Sequence, residues 1–172
     1  RLTMNLQTTL FEFQQPAVAK LAKSKVGGLF MDMGLGKTRV AIELAHLRQS
    51  RITNVVWFTL VSLKETVRQE ILKHTDAPPE DIYVFDDKTR VKNLPQAFWY
   101  VVGLESLSSS NRVTLCANHL ITGNSFVIVD ESSYIKGHHS KRTRRITAMG
   151  ERAKYRLIIT GTPMTQGAVD LY

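Results

Sequence analysis

Short apolar runs alternate with amphipathic helical patterns along this chain of 172 residues, and that order constrains the fold more than any other feature. The runs are rich in β-branched and aromatic residues, as buried strands are, and read "VGGLFM", "NVVWFT", "IYVF", "FWYVVGL", "FVIV" and "YRLIIT". Strands without polar alternation are buried on both faces, which is typical of parallel sheets covered by helices. We therefore predict an α/β fold with a mostly parallel central sheet and helices on both faces.

The segments between these runs carry apolar residues at helical spacing. Two such series are Val40, Leu44 and Leu47, and Leu63, Val67 and Ile71. Ser62 precedes the second series and Glu65 follows three residues later, a spacing typical of a capping box at a helix start. Trp57 and Trp99 lie within apolar runs, which favours core packing over base stacking for both.

The charge balance indicates an anionic partner. The chain has 23 basic and 15 acidic residues, a formal net charge of +8, and nucleic acid is the first candidate for a domain this basic. A basic protein without such a partner is the alternative. Cys116 is the only cysteine, which excludes an intrachain disulfide and a cysteine-based zinc site. A single cysteine fits a reducing cytosol, so we expect a cytoplasmic protein, associated with the nucleoid or, if viral, in the host cytoplasm. No run reaches the roughly 20 apolar residues of a membrane helix, so we expect no membrane partner.

The stretch "MGLGKT" joins an apolar run to a helical pattern and has the composition of a phosphate-binding loop. Gly34 and Gly36 allow a sharp turn whose N–H groups face a phosphate, while Lys37 adds a positive charge and the Thr38 hydroxyl is suited to Mg²⁺. Met31 stands where the general pattern has glycine. The alternative is an ordinary glycine turn at a helix start, followed by an unrelated lysine.

Two further polar stretches directly follow apolar runs. In "FVIVDE", Asp130 is suited to hold Mg²⁺ and Glu131 to deprotonate an attacking water, although acidic residues also favour any helix N-terminus. In "LIITGTP", the hydroxyls of Thr160 and Thr162 flank Gly161 and are placed to sense a terminal phosphate. Carboxyl ends of parallel strands meet at one edge, so these stretches and the glycine turn are predicted to converge there.

The stretches "MDMGLGKT", "LVSLKETVRQEI", "VVGLESL", "DESSYIK" and "TGTPMTQGAVDLY" occur in an order that resembles the first motor domain of superfamily 2 helicases. They are most similar to the Swi/Snf-type branch of DNA-translocating ATPases, in a form resembling bacterial and viral relatives. In that branch the phosphate loop often lacks the upstream glycine, so Met31 fits the resemblance. Ser132 and Ser133 depart from the usual Ala-His pair, which leaves coupling through that histidine open.

The resemblance implies a RecA-like P-loop domain that uses ATP and Mg²⁺ to move on double-stranded DNA. It places Gln14 of "LFEFQ" against the adenine and puts Ser62 and Lys64 beside a DNA backbone. The nucleotide would be bound by Gln14 and by the residues of the phosphate loop, which are Met33, Gly34, Leu35, Gly36, Lys37, Thr38 and Arg39. The catalytic residues would be Lys37, Asp130 and Glu131, and Mg²⁺ would be held by Thr38 and Asp130. ATP hydrolysis would be coupled to movement on nucleic acid through Thr160, Gly161 and Thr162.

The basic stretch "KGHHSKRTRR" follows the acidic pair and has two interpretations. Lys141 and Arg142 are candidates for phosphate contacts on DNA. Alternatively, the stretch leads into a solvated helix that begins near Ser140 and ends at Gly150. His138 and His139 have no further ligands at metal-binding spacing, so a metal role is disfavoured.

The family resemblance also implies that residues 1–172 form a single N-terminal lobe of a longer protein. In such motors a second RecA-like lobe supplies arginine fingers and the remainder of the nucleic-acid track. Three alternatives stay open at this point: another superfamily 2 helicase, a restriction-type translocase, and a non-hydrolysing scaffold that binds DNA or protein. A kinase is disfavoured by the glutamate after Asp130.

Overall fold

The computed structural model describes residues 2–30, 36–130 and 141–160 in full and residues 167–170 by their backbone. The described residues form a seven-stranded sheet with the strand order β3-β4-β2-β5-β6-β1-β7. The strands are β1 (Val26–Phe30), β2 (Asn54–Thr59), β3 (Ile82–Val84), β4 (Trp99–Gly103), β5 (Ser125–Asp130), β6 (Tyr155–Thr160) and β7 (Gly167–Asp170). Strands β1 to β6 run parallel, and β7 pairs antiparallel with β1. The predicted mostly parallel sheet is confirmed.

Helices cover both faces of this sheet. They are α1 (Gln15–Leu21), α2 (Lys37–Arg48), α3 (Lys64–His74), α4 (Ser106–Ser109), α5 (Asn111–Leu120) and α6 (Lys141–Arg152). Val55 and Trp57 of β2 pack with α1, α2 and α3, whereas Val56 and Phe58 pack with α4, α5 and α6. Alternate side chains of a strand point to opposite faces of the sheet, so a strand that is apolar throughout is buried on both faces. Trp57 and Trp99 are fully buried, as the sequence predicts.

Two details of the helices differ from the sequence prediction. Leu47 and Leu63 were expected to complete apolar series, but their side chains are 44% and 39% exposed. The predicted capping box at Ser62 is wrong: α3 begins at Lys64 after a short 3₁₀ turn, and its N-cap residue is Leu63. The Glu65 carboxylate accepts hydrogen bonds from Arg68 and Gln69 instead, and the bond from Arg68 is the main reason why its pKa falls to about 2.

The contrast between Leu44 and Leu47 gives a test of how α2 is oriented. Leu44 is fully buried beneath the sheet, so Leu44→Ala is expected to lower the free energy of unfolding by about 2–5 kcal/mol through lost burial and the cavity left behind. Leu47→Ala removes the same atoms from a half-exposed site and should cost no more than about 1 kcal/mol. Urea denaturation of both variants measures the difference; equal losses would contradict this orientation of the helix.

Among the described residues, no helix combines the length and the apolar character that crossing a membrane requires.

Candidate nucleotide and nucleic-acid sites

The carboxyl ends of strands β1 to β6 lie along one edge of the sheet, where α/β proteins bind their ligands. Helix α2 begins here at Lys37, shortly after β1 ends. Its N-cap residue is Gly36, whose φ of 74° lies in the left-handed region that glycine adopts without strain. The N-terminus of this helix therefore opens toward the same edge as the polar ends of the neighbouring strands.

Gln14 holds this turn from the N-terminal side. Its side chain is 1% exposed and bridges two backbone groups: Nε2 donates to the Gly36 carbonyl at 3.1 Å, and Oε1 accepts from the Phe11 N–H at 2.8 Å. A Cβ atom built on Gly36 would overlap the Gln14 amide. Gln14 was predicted to lie against an adenine; the structure places its amide against the turn that leads into α2.

We expect Gly36→Ala to disrupt this turn. Alanine at this φ costs about 1–2 kcal/mol, and its methyl group would in addition displace Gln14. Because each 1.4 kcal/mol is a factor of ten in affinity, the dissociation constant for ATP should rise by about tenfold or more. Titration with a fluorescent ATP analogue measures it.

Gly123 provides the matched control, because a Cβ atom there meets open space. Gly123→Ala should bind the analogue like the unmodified protein. In Gln14→Ala/Gly36→Ala the overlap is relieved, whereas the backbone strain remains and the hydrogen bond from Gln14 to the Gly36 carbonyl is lost. Unchanged affinity in Gly36→Ala would show that the turn does not contact the nucleotide.

Lys37 and Asp130 approach each other across the edge. The Lys37 Nζ atom lies 3.7 Å from Asp130 Oδ1, and their side chains are 21% and 13% exposed. Strand β6 lies between β1 and β5, so the lysine after β1 reaches past a strand end to the acid at the end of β5. A fixed cation opposite a fixed carboxylate is the pair needed to hold a phosphate and a divalent metal side by side.

A cavity of about 500 Å³, within the size range of small-molecule sites, opens beside Lys37. Its wall joins the predicted residues Gln14, Gly36, Lys37, Thr38 and Arg39 to residues that the sequence did not indicate. The latter are Thr8, Thr9, Phe11, Glu70, Lys73 and His74. The cavity is therefore enclosed by the N-terminal segment, the start of α2 and the end of α3.

Thr8, in the N-terminal segment, forms hydrogen bonds with both α2 and α3. Arg39, which is 5% exposed, donates to the Thr8 hydroxyl at 2.8 Å and to the Thr8 carbonyl at 2.7 Å, and it also pairs with Glu43 at 2.9 Å. The same hydroxyl lies 2.7 Å from Nδ1 of His74, whose pKa is lowered chiefly by burial. Arg39 is predicted to bind the nucleotide; it lines the cavity, and its guanidinium binds Thr8 and Glu43 in the cavity wall.

The other predicted catalytic and coupling residues lie partly outside the described part of the chain. Thr160 ends β6 beside Phe30 of β1 and is fully buried. The remaining predicted residues, which are Met33, Gly34, Leu35, Glu131, Gly161 and Thr162, fall outside the described residues. The same holds for His138 and His139.

The predicted nucleic-acid segment after β2 is held by the end of β4. Ser62 is exposed, whereas Lys64 donates from Nζ to the Phe85 carbonyl at 2.7 Å. Glu105 Oε1 accepts the N–H of Val61 at 2.9 Å, and a Cβ atom on Gly103 would lie 2.5 Å from the Val61 side chain. Close packing of Gly103 on Val61 thus fixes the segment that carries Ser62 and Lys64.

Helix α6 resolves the two interpretations of the basic stretch in part. Ile146 and Met149 are buried against the sheet, so the helix is amphipathic rather than wholly solvated, and it runs from Lys141 to Arg152. Lys141 is exposed, whereas Arg145 and Arg152 donate to acceptors on α4, α5 and the turn that follows α5. Lys141 therefore stays a candidate for phosphate contact, while these two arginines bind other parts of the protein.

Comparison with known proteins agrees with this arrangement. A family model described as the SNF2-related domain matches residues 13–172. The Mus musculus protein named DNA annealing helicase and endonuclease ZRANB3 is 29% identical over 97% of this chain. The chain spans 16% of the length of that relative.

Solved structures show the same fold. The Sulfolobus solfataricus SWI2/SNF2 ATPase core, solved in complex with dsDNA, superposes with a TM-score of 0.75 at 20% identity and covers 95% of this chain and 34% of that one. The Pyrococcus furiosus Hef helicase domain superposes with a TM-score of 0.70 at 18% identity, over 93% of this chain and 34% of that one. The RecA-like fold class predicted from the sequence is thereby confirmed.

Proposed function

This chain belongs to the SNF2-related domain family, and from that premise we propose that it is the ATP-binding lobe of a DNA-dependent ATPase that translocates on double-stranded DNA. The observation that carries the proposal is the approach of Lys37 to Asp130 beside the cavity at the start of α2. A protein that only binds DNA has no need for a lysine and a carboxylate in this relation. A nucleotide hydrolase needs both.

In this proposal, separate residues bind the phosphates, bind the base and activate the attacking water. The N-terminus of α2 and the Lys37 ammonium bind the phosphates, and the ammonium stabilises the charge that develops on the transferred group. The cavity lined by Phe11 and Thr8 takes the base, and Gln14 keeps the Gly36 turn in the conformation that binds phosphate. Glu131, directly after Asp130, orients the attacking water and accepts its proton.

The donor set fits Mg²⁺, since a threonine hydroxyl and a strand-end carboxylate are the oxygen ligands this ion uses in nucleotide hydrolases. Thr38 and Asp130 would hold it. When bound, the ion neutralises phosphate charge. We assign Thr160, Gly161 and Thr162 to sensing whether the terminal phosphate is present.

Duplex DNA is the proposed partner. The chain is basic, its relatives include proteins named as DNA helicases, and one structural neighbour was solved with dsDNA. We place the DNA backbone along Ser62 and Lys64, with Lys141 and Arg142 as further phosphate contacts. A second RecA-like lobe of the same polypeptide completes the ATP site in this proposal.

The test is to measure ATP hydrolysis by the full-length protein with duplex DNA, single-stranded DNA, RNA or no nucleic acid. Duplex DNA should raise turnover by about tenfold or more, within the usual range of coupling between sites. Equal stimulation by RNA would favour another helicase class. Tight DNA binding without any ATP turnover would replace the proposal with a non-hydrolysing scaffold.

A further inference from the structure

We propose that Arg145 is a positioning residue that transmits the binding of nucleic acid to the ATP site by joining α6 to the segment that follows β4. The inference rests on the proposed function, because it concerns how DNA accelerates ATP turnover. Arg145 would touch neither nucleotide nor DNA. It would keep the elements that carry the two sites in a fixed relation.

Arg145 binds acceptors on two other elements at once. Its Nη1 atom donates to the Leu107 carbonyl of α4 and, at 2.9 Å, to the Thr114 hydroxyl of α5. Its Nη2 atom donates to Asn111 Oδ1 at 2.7 Å. A planar guanidinium with donors in a fixed fork can satisfy three acceptors together, which an ammonium on a flexible stem does less well. Arg145 therefore sets the position of α6 against both helices.

Helix α4, to which Arg145 binds, is joined to the segment that carries the proposed DNA contacts. Helix α4 starts one residue after Glu105, whose carboxylate accepts the N–H of Val61. The Leu104 N–H also donates to the Thr59 carbonyl at 2.8 Å, so the ends of β2 and β4 are joined by two hydrogen bonds. A displacement of the segment around Ser62 must move α4 or break these contacts.

The other end of the connection is the ATP site. Helix α6 is the next described element after Asp130, and it begins at Lys141. Ile146 and Met149 of α6 belong to the same buried cluster as Val129, the residue before Asp130, so a shift of α6 acts on the end of β5. The route runs from Val61 to Glu105, through α4 to Arg145, and then through the packing of α6 in the cluster that includes Val129 of β5, next to Asp130. Packed, hydrogen-bonded elements of this kind carry coupling between distant sites.

Arg152 offers a matched control on the same helix. It also binds protein acceptors, through Nη1 to the Ile121 carbonyl at 2.9 Å and through Nη2 to Asn118 Oδ1 at 2.6 Å. These acceptors lie at the opposite end of α5, near the amino end of β5 and away from both proposed sites. Losing either arginine removes comparable hydrogen bonds, but only Arg145 reaches the segment after β4.

The experiment compares Arg145→Met with Arg152→Met in the full-length protein. It measures the melting temperature, the ATP turnover without DNA, and the turnover with saturating duplex DNA. We expect both variants to lose similar thermal stability and to keep turnover without DNA within about twofold of the unmodified protein. Arg145→Met should lose about five- to tenfold of the stimulation by DNA, whereas Arg152→Met should keep it.

Asn111→Ala keeps the test decisive if Arg145→Met does not fold, because it removes one exposed acceptor and leaves the arginine in place. Asn111→Ala should also lower the stimulation of ATP turnover by DNA, by a smaller factor than Arg145→Met does. Combining Glu105→Gln with Arg145→Met should cost less stimulation than the product of the single losses, because the two residues lie on one route. Full stimulation in the variants at Arg145 and Asn111, or an equal loss in Arg152→Met, would overturn the inference. An unmodified protein that DNA does not stimulate would instead overturn the proposed function.

Discussion

Lys37→Ala is expected to lower ATP turnover on the order of 100- to 1,000-fold, the loss typical of removing one group that stabilises charge in a transition state. The lysine lies at the first position of α2, where backbone N–H groups and the helix dipole already favour an anion. Without the ammonium, only the backbone N–H groups and the dipole of α2 remain to stabilise the phosphate charge. The substitution also leaves Asp130 without the cation now 3.7 Å from its carboxylate.

The measurement is steady-state turnover with saturating duplex DNA, together with the affinity for a fluorescent ATP analogue. Affinity should fall as well, because the ammonium contacts phosphate in the ground state as well as the transition state. Lys20→Ala is the control: Lys20 is an exposed lysine on α1, and its loss should change neither quantity. Turnover within a few-fold of normal in Lys37→Ala would remove this loop from the catalytic site.

The strands could be predicted from the sequence because each one satisfies a local rule and the global fold at once. A run such as "NVVWFT" is apolar on both faces, and only a sheet covered on both sides buries it completely. The same rule placed the glycine turn and Asp130 at one edge, because parallel strands end together. Lys37 and Asp130 are 93 residues apart in sequence, and topology alone brings them together.

The walls of the cavity could not be predicted in this way. Thr8, His74 and Arg39 meet because the N-terminal segment crosses the end of α3, where Leu6 pairs with Thr75 and the Gln7 N–H donates to the His74 carbonyl. Each of these residues is an ordinary polar residue in its own segment. Their contacts depend on long-range packing, which has no periodic signal.

The capping box at Ser62 failed for a different reason. The spacing of serine and glutamate matched the pattern, but the Glu65 carboxylate, which would accept the Ser62 N–H, accepts hydrogen bonds from Arg68 and Gln69 on the same helix. Other side chains of the helix thus compete for the group on which the local pattern depends.

Arg48, near the C-terminal end of α2, is a further residue whose environment could not be predicted from the sequence. The guanidinium is 3% exposed, donates to the Leu21 and Ser24 carbonyls, and lies over the rings of Phe126 and Tyr155. Burial lowers its pKa to about 10, so the group stays charged at neutral pH inside the core. By composition it would count as surface charge that attracts nucleic acid. Part of the basic excess therefore serves the fold.

Glu131→Gln should give the opposite signature to Lys37→Ala. Glutamine is isosteric with glutamate and can still bind the attacking water, but it cannot accept a proton, so hydrolysis should slow on the order of 100- to 10,000-fold. Binding of ATP depends on the α2 N-terminus, Lys37 and Asp130, which the substitution leaves in place. The variant should therefore retain ATP that it cannot hydrolyse.

The two variants together separate binding from chemistry. Single-turnover hydrolysis and retention of radiolabelled ATP on a filter are measured for Glu131→Gln. Glu151→Gln, at an exposed residue of α6, is the control that should behave normally. Retained ATP in Glu131→Gln and lost ATP in Lys37→Ala would assign proton transfer to one residue and phosphate binding to the other. Normal turnover in Glu131→Gln would show that a different group accepts the proton, and the acidic end of β5 would then serve the metal through Asp130 alone.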